Sequence, residues 1–413
     1  MSDQTTPDMI RAFGRIGVLS FGGPAAQIAI MHEELVERRR WLSEDQFLRA
    51  LSLCMLLPGP EAMQLATYAG WRLRGIWGGL LAGLLFVVPG ALVIFALAFA
   101  YISFGQVPWV QAAFVGIKAA VIIVVLQALL RLGNKALANR SAWLLAGLAF
   151  VALFALGLPF PIIIALAAAY GYLTSKNEGQ ITTAASIPFT QTLRTIAIWS
   201  ALWAVPLIVL WLMDADFLIQ LGLFFSKLAV VTFGGAYAVL AYMSQTVVQD
   251  YGWVSSGQMI DALGLAETTP GPLILVTQFV AILAGDGAGG FGLAVSAGLL
   301  ALWVTFIPCF LWIFAAGPYI ETLTSRPRLS AALSAITAAV VGVILNLSIW
   351  FALHVLFDRV GKLGAMPLPD VTSINLIATL LTASAAFLML RLKWGLLPTM
   401  GLLALAGMGL SLV

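Results

Sequence analysis

The sequence predicts an all-α polytopic membrane protein: two inverted-topology repeats with broken, re-entrant helices, joined by one extra transmembrane span. Three observations predict it: an apolar composition, helix-breaking motifs that recur at one fixed offset, and the placement of the positive charges. Of 413 residues, 61% are hydrophobic and 9% charged, and mean hydropathy is +1.01. An ordinary soluble domain carries about 25% charged residues. One crossing of the hydrocarbon needs about 20 apolar residues, and runs of that kind fill the chain. A net charge of +3 calls for no acidic partner, and nucleic acid is not expected.

The motifs are two interruptions within the first 70 residues, Ser20-Phe21-Gly22-Gly23-Pro24 and Leu57-Pro58-Gly59-Pro60. Both return 212 positions later, as Phe233-Gly234-Gly235 and Pro270-Gly271-Pro272, with Trp41 matched by Trp253 and Gln46 by Gln258. So many marks at one offset indicate an internal duplication. The expected domains are a first membrane repeat over 1–175, a polar linker over 176–192, a connecting span over 193–215, and a second repeat over 216–413.

In chain order, broken segments are expected at 10–31 and 47–70, then uninterrupted spans near 76–104, 108–130, 142–156 and 159–174. An additional span near 195–213 has no counterpart in the first half. Broken segments follow at 217–243 and 258–284, with spans near 289–316, 331–356, 373–390 and 394–412. Residues 1–8 are polar and lack the basic region and cleavage site of a signal peptide. Cys54 and Cys309 lie in apolar stretches without pairing or metal-ligand spacing, so no disulfide, metal or cofactor is expected.

Positive charge sets the orientation. Arg11, Arg38 to Arg40, and Arg72 with Arg74 flank the first two segments on every side. All stay on the cytoplasmic side only if each segment enters and returns as a hairpin of two half-helices. The extra span then turns the second half over, and its broken segments are bordered by Asp214, Asp216, Asp250 and Asp286. Arg359 and Lys362 alone fall on the unexpected side, offset by Asp358 and Asp370. The N-terminus is expected in the cytoplasm and the C-terminus in the periplasm of a bacterial inner membrane. An alternative in which every segment crosses fully gives the same end positions and stays open.

Inverted repeats with discontinuous helices are a recurring plan of secondary transporters, which hold their substrate near the midplane at the breaks. Irregular backbone survives in lipid only where it is buried or lines a polar cavity. Pro favours the first position of a helix, so Pro24, Pro60 and Pro272 read as helix starts, with Ala236 in the place of Pro24 in the second copy. Each start aims free N–H groups and about half a positive charge at its break, and converging starts make an anion site from backbone alone. The expected contacts are therefore Phe21, Gly22, Gly23, Pro24, Pro58, Gly59, Pro60, Phe233, Gly234, Gly235, Pro270, Gly271 and Pro272, the glycines permitting close approach.

Among side chains, Arg15 and Lys227 are repeat mates, each seven residues before the first glycine of its break. They read as anion-attracting groups, against interfacial residues that snorkel. Lys118 sits mid-way along an apolar run, where a cation is costly and either functional or paired. Glu61 and Glu267 flank the two Pro-Gly-Pro turns and are candidates for carrying a coupled proton, against a helix-start acid and a polar crevice.

Phe21-Gly22-Gly23-Pro24, Glu37-Arg38-Arg39-Arg40-Trp41-Leu42, Cys54-Met55-Leu56-Leu57-Pro58-Gly59-Pro60-Glu61 and Leu65-Ala66-Thr67-Tyr68 together resemble the chromate ion transporter superfamily. Thr232-Phe233-Gly234-Gly235 and Thr269-Pro270-Gly271-Pro272 resemble the C-terminal copy of its long, two-domain members. The resemblance implies export of chromate from the bacterial cytoplasm, resistance to it, and coupling to the membrane potential or proton gradient. The implied partners are chromate or a sulfate-like oxyanion, the lipid bilayer and, in a homodimer, a second copy of the chain. Gln27 departs from the family, many of whose members carry His just after the Gly-Gly-Pro turn, which puts a titrating role there in doubt. Transport of sulfate or another tetrahedral oxyanion is the nearest alternative. A membrane-embedded enzyme is the second, although no nucleophile–base pair, metal-ligand cluster or nucleotide fingerprint supports it.

Overall fold

The computed structural model describes residues 5–175, 189–233 and 235–410. The protein is an all-α polytopic membrane protein. Among the described residues five helices are long and apolar enough to cross a membrane: α4 (Glu61–Phe104), α5 (Pro108–Ala136), α8 (Phe189–Leu212), α13 (Phe291–Ala316, continuing as a short turn into α14, Ile320–Thr324) and α15 (Pro327–Leu356). Shorter apolar helices are α6 (Arg140–Phe154), α7 (Phe160–Thr174), α16 (Leu376–Ala386) and α17 (Leu396–Leu410).

The broken segments are helix pairs. In the first half these are α1 (Thr6–Leu19) with α2 (Gly23–His32), then α3 (Glu44–Leu56) with the first leg of α4. In the second half they are α9 (Asp216–Val231) with α10 (Ala236–Gln245), then α11 (Ser256–Thr268) with α12 (Val276–Gly289). The separate helices of these pairs run 10 to 16 residues, about 15–24 Å at 1.5 Å per residue, short of the roughly 30 Å hydrocarbon layer.

Local devices recur at the same offset of 212. Ser43 and Gln46 form a reciprocal capping box at the start of α3, and Ser255 and Gln258 make the same two bonds before α11. Each satisfies two backbone amide donors at a helix start, where N–H groups lack partners. The ends of α2 and α10 both widen into a π-helical turn, Glu33–Arg38 and Thr246–Asp250. Gly75 and Gly290, 215 rather than 212 positions apart, break the chain in nearly the same conformation, φ/ψ +61°/−153° and +76°/−163°. Helix α4 therefore joins two expected segments, 47–70 and 76–104, through a kink at Arg74–Gly75.

Two differences from the sequence reading stand out. The stretch between α15 and α16, expected to be a loop, holds an antiparallel hairpin of β1 (Val360–Leu363) and β2 (Met366–Pro369), turning at Gly364 with φ +63°. Within the linker expected over 176–192, residues 176–188 lie outside the described residues, and α8 already begins at Phe189.

The chain forms two compact units, each assembled from three stretches. One holds 1–96, 172–236 and 269–333; the other holds 97–171, 237–268 and 334–413. Both halves of the sequence thus contribute to both units. In lipid, apolar side chains gain little by leaving the solvent, so helices associate through close packing of small residues. In the first unit α12 and α13 form the most extensive pair, with Gly285 against the backbone of Leu293 and Ala294. The indole N–H of Trp303 donates to the Leu202 carbonyl at 2.9 Å and ties α13 to the largely exposed α8. In the second unit Gly116 of α5 and Gly407 of α17 lie against the Leu403 and Ala112 carbonyls, leaving no room for a Cβ at either crossing.

Candidate functional site

All four breaks belong to the first unit. Helix α1 ends because Ser20 turns out of helical geometry (φ −76°, ψ 66°) while its hydroxyl donates back to the Ile16 carbonyl at 2.5 Å. The Phe21 amide then closes a tight turn onto the Leu19 carbonyl at 2.9 Å. Gly22 and Gly23 follow with φ +83° and +82°, a left-handed conformation that costs a side-chain-bearing residue about 1–2 kcal/mol. Pro24 sits in the first turn of α2. In the second copy the Thr232 hydroxyl donates to Leu228 at 2.6 Å, the Phe233 amide to Val231 at 3.0 Å, Gly235 has φ +98°, and α10 starts at Ala236. Gly234 lies outside the described residues.

The Pro-Gly-Pro breaks are also alike. Gly59 has φ +119° and Gly271 φ +88°. Pro60 stands just before the first helical residue, Glu61, and its carbonyl accepts the first bond of α4 from Gln64 at 3.1 Å. Pro272 precedes a single 3₁₀ turn, Leu273–Leu275, which leads into α12. Pro60 and Pro272 are thus caps rather than the first helical positions expected from the sequence. A carbonyl that starts the ladder serves there equally well.

The breaks meet in pairs that cross between the sequence halves. The Gly59 amide donates to the Thr232 carbonyl at 2.8 Å, and the Gly271 amide donates to the Ser20 carbonyl at 2.9 Å. Glycine is required at both donors by close approach as well as by φ. A Cβ on Gly59 would lie 2.8 Å from Gln64 Nε2 and 3.1 Å from Cys309 Sγ; one on Gly271 would lie 3.1 Å from Leu275 Cδ1. Among the described residues Gly23 and Gly235, by contrast, face nothing within 4 Å, and Gly22 faces only Ala26 Cβ at 3.6 Å. Open space therefore lies at the starts of α2 and α10, and packed backbone at the Pro-Gly-Pro turns.

Buried neutral polar side chains surround these turns. Gln27 Nε2 donates to the Gly271 carbonyl at 2.7 Å and to the Ser20 carbonyl at 3.3 Å, and Gln64 Nε2 donates to the Pro58 carbonyl at 2.6 Å. Ser20, Gln27, Gln64, Thr67, Thr232 and Thr269 are all buried. Gln64 Oε1, Gln278 Oε1 and Thr305 Oγ1 are buried without a hydrogen-bond partner among the described residues, so this region holds polar capacity that the fold itself leaves unused. Sequence reasoning missed Gln27 and Gln64 as holders of the breaks. A buried amide in an apolar helix next to a break was the available signal.

The expected side-chain groups divide. Arg15 and Lys227 are exposed on α1 and α9, while the opposite faces bury Phe13, Ile16, Phe225 and Leu228. Glu61 is half-buried at the first position of its helix. Lys118 and Glu267 belong to the second unit. Lys118 pairs with Asp261, Nζ to Oδ1 3.3 Å, and Glu267 accepts a 2.6 Å bond from the Tyr237 hydroxyl. Asp261, Tyr101 and Tyr237 were not singled out in the sequence, although an acid among the buried apolar residues of α11 marks Asp261. The second unit also holds a cavity of about 340 Å³, lined by His354, Lys362, Gln245, Gln249 and Asn346 among others and by no acid.

A polytopic helical membrane protein with paired, broken helices that meet at buried polar groups belongs to the class of membrane transporters. The chain belongs to the chromate transporter family, whose model matches residues 7–172 and 219–410. A chromate transport protein of Cupriavidus metallidurans is 32% identical over 360 residues, 86% of this chain and 84% of its own. One from Pseudomonas aeruginosa is 33% identical over 346 residues, 82% and 79% of the two chains. An uncharacterized transporter of Bacillus subtilis is 31% identical over 187 residues, covering 44% of this chain but 94% of its own length. No solved structure matches the chain significantly.

Proposed function

We propose that this protein is a secondary-active transporter that exports chromate from the bacterial cytoplasm, binding the anion at the helix breaks near the membrane midplane. The observation that carries the reading is the crosswise pairing of the breaks, Gly59 to Thr232 and Gly271 to Ser20. With the side chains of Gln27 and Gln64 it secures the Pro-Gly-Pro turns and leaves the starts of α2 and α10 facing open space. Free N–H groups at a helix start favour an oxyanion, and neutral buried amides and hydroxyls solvate it without trapping it. Family membership and the chromate transport proteins among the relatives support the same substrate.

In this reading the repeats are inverted, the broken segments are re-entrant, and the N-terminus is cytoplasmic. Glu61 and Glu267 carry the coupled proton; Arg15, Lys227 and Lys118 attract or contact the anion. The test is uptake of labelled chromate into proteoliposomes under an imposed potential or proton gradient, with sulfate as competitor. Vectorial movement without change of oxidation state is expected. Reduction to the trivalent ion would make the protein an enzyme, and complete suppression by equimolar sulfate would make sulfate the preferred anion.

A further inference from the structure

The second unit contains an ion pair among its apolar helices. Lys118 Nζ of α5 lies 3.3 Å from Asp261 Oδ1 of α11, with the two side chains 24% and 5% exposed. The Tyr101 hydroxyl donates to the other carboxylate oxygen at 2.8 Å. Ala119 to Val125 on α5 and Met259 to Leu263 on α11 are buried around it. Gly257, one turn before Asp261, leaves the ammonium open along the helix: a Cβ there would come within 3.4 Å of Nζ.

As a structural staple this pair is poorly made. Removing two charges from water costs several kcal/mol per ion, which is offset only when the geometry is good and the remaining donors and acceptors are satisfied. Here the oxygen facing Lys118 makes no well-aligned hydrogen bond. Among the described residues Asp261 is the only acid paired with Lys118, although an ammonium offers three donors. The cation is neutralised by a neighbour that does not satisfy it.

We propose that Asp261 is a tethered counter-anion, which holds Lys118 in the unloaded protein and is displaced there by the transported oxyanion. A tetrahedral oxyanion brings several acceptor oxygens to the three donors, whereas Asp261 presents one. The displaced carboxylate keeps its bond from Tyr101, so it need only separate from Lys118 and not leave its place. Until the substrate arrives, the carboxylate keeps chloride and other weakly held anions from the ammonium. At the matching position of the first repeat stands Arg49, exposed and paired with Asp45 and Glu321, so only one copy carries this device.

The proposal rests on reading Lys118 as an anion contact, and the experiment separates the two. Equilibrium binding of labelled chromate is measured on the purified full chain, with folding followed by size-exclusion chromatography and thermal melting. Asp261→Asn removes the competitor and is expected to tighten binding about tenfold, within the usual range of coupling free energies. Lys118→Met with Asp261→Asn removes both charges, should keep the fold, and is expected to bind more weakly than the parent. Unchanged or weaker binding by folded Asp261→Asn overturns the proposal, as does parental binding by the double variant, which also decides the matter should the single variant fail to fold. If the parent binds chromate and Gly22→Leu does not, while the Lys118 and Asp261 variants bind as the parent, the proposal fails and the break site stands. If the parent binds no oxyanion, both fail.

Discussion

The amide of Gly59 donates to the carbonyl of Thr232, 173 positions further along the chain, and its repeat mate Gly271 donates to Ser20 in the same way, at 2.8 and 2.9 Å. An unpaired backbone group in lipid costs several kcal/mol. Each Pro-Gly-Pro turn has a single amide to satisfy, and each is satisfied by the other half of the chain. Gln27 adds a side-chain donor to the two carbonyls of one crossing. Val239 stands at its matching position in the second copy, so the two crossings are held unequally.

Gly59→Ala should destabilise the protein by about 1–3 kcal/mol, the usual cost of strained backbone. Its Cβ meets Gln64 Nε2 and Cys309 Sγ as well as an unfavourable φ. Thermal melting followed by size-exclusion fluorescence reads the loss. Adding Cys309→Ala should restore part of it, and no recovery would mean that the sulfur contact is slack.

Gly22 separates shape from strain. Gly22→Asn tolerates the left-handed conformation and should leave protein level and much of the transport intact. Gly22→Leu should leave protein in the membrane and abolish chromate transport by filling the space at the start of α2. Normal transport by the leucine variant would reduce the break to a kink.

Orientation is open to labelling. In a variant lacking Cys54 and Cys309, single cysteines in 33–45 and 245–257 should react with an impermeant reagent from opposite sides of the membrane. Reaction of both from one side would end the inverted reading.

Arg15 and Lys227, exposed on α1 and α9, should act on encounter rather than on the bound state. Electrostatic guidance weakens as salt screens it. Arg15→Gln should raise the KM for cytoplasmic chromate at low ionic strength with little change in maximal rate, and Lys227→Gln should act from the opposite face. Inverted and right-side-out vesicles distinguish the two; equal effects from both faces would make these charges structural.

Glu34 gives a dependence on pH. It is buried, which raises its pKa, but bonds from Arg39 at 2.7 Å and Arg38 at 3.1 Å outweigh this and hold the carboxyl below its ordinary value of 4.5. A depressed folded pKa stabilises above 4.5, and that stability is lost as pH falls through the folded value. Glu34→Gln should therefore melt lower than the parent at neutral pH, and the gap should close on acidification below 4.5. A gap independent of pH would assign the loss to packing.

The long helices were legible because composition and length alone decide a crossing, and the breaks because Gly and Pro mark them in both copies. The partners of the breaks were not legible. Gly59 to Thr232 is a bond between two main chains, and no side-chain pattern encodes it. The hairpin at 360–369 escaped because it is short and lies between apolar runs that dominate any reading of its neighbourhood. Lys118 could be recognised as costly but its partner could not, since Asp261 lies 143 positions away on a helix where Glu267, read as a proton carrier or the lining of a polar crevice, drew the attention.

Cutting the chain within 176–188 would leave Ser20 and Gly59 on one fragment and Thr232 and Gly271 on the other. Each fragment would then carry one stranded donor and one stranded acceptor, complementary to those of its partner and to nothing of its own. The connecting segment turns what would be a second-order encounter between two incomplete membrane proteins into a first-order closure, at an effective concentration set by the tether. Quality control by partner recognition is thus written into the main chain itself: a half that inserts alone announces its incompleteness as two unsatisfied peptide groups.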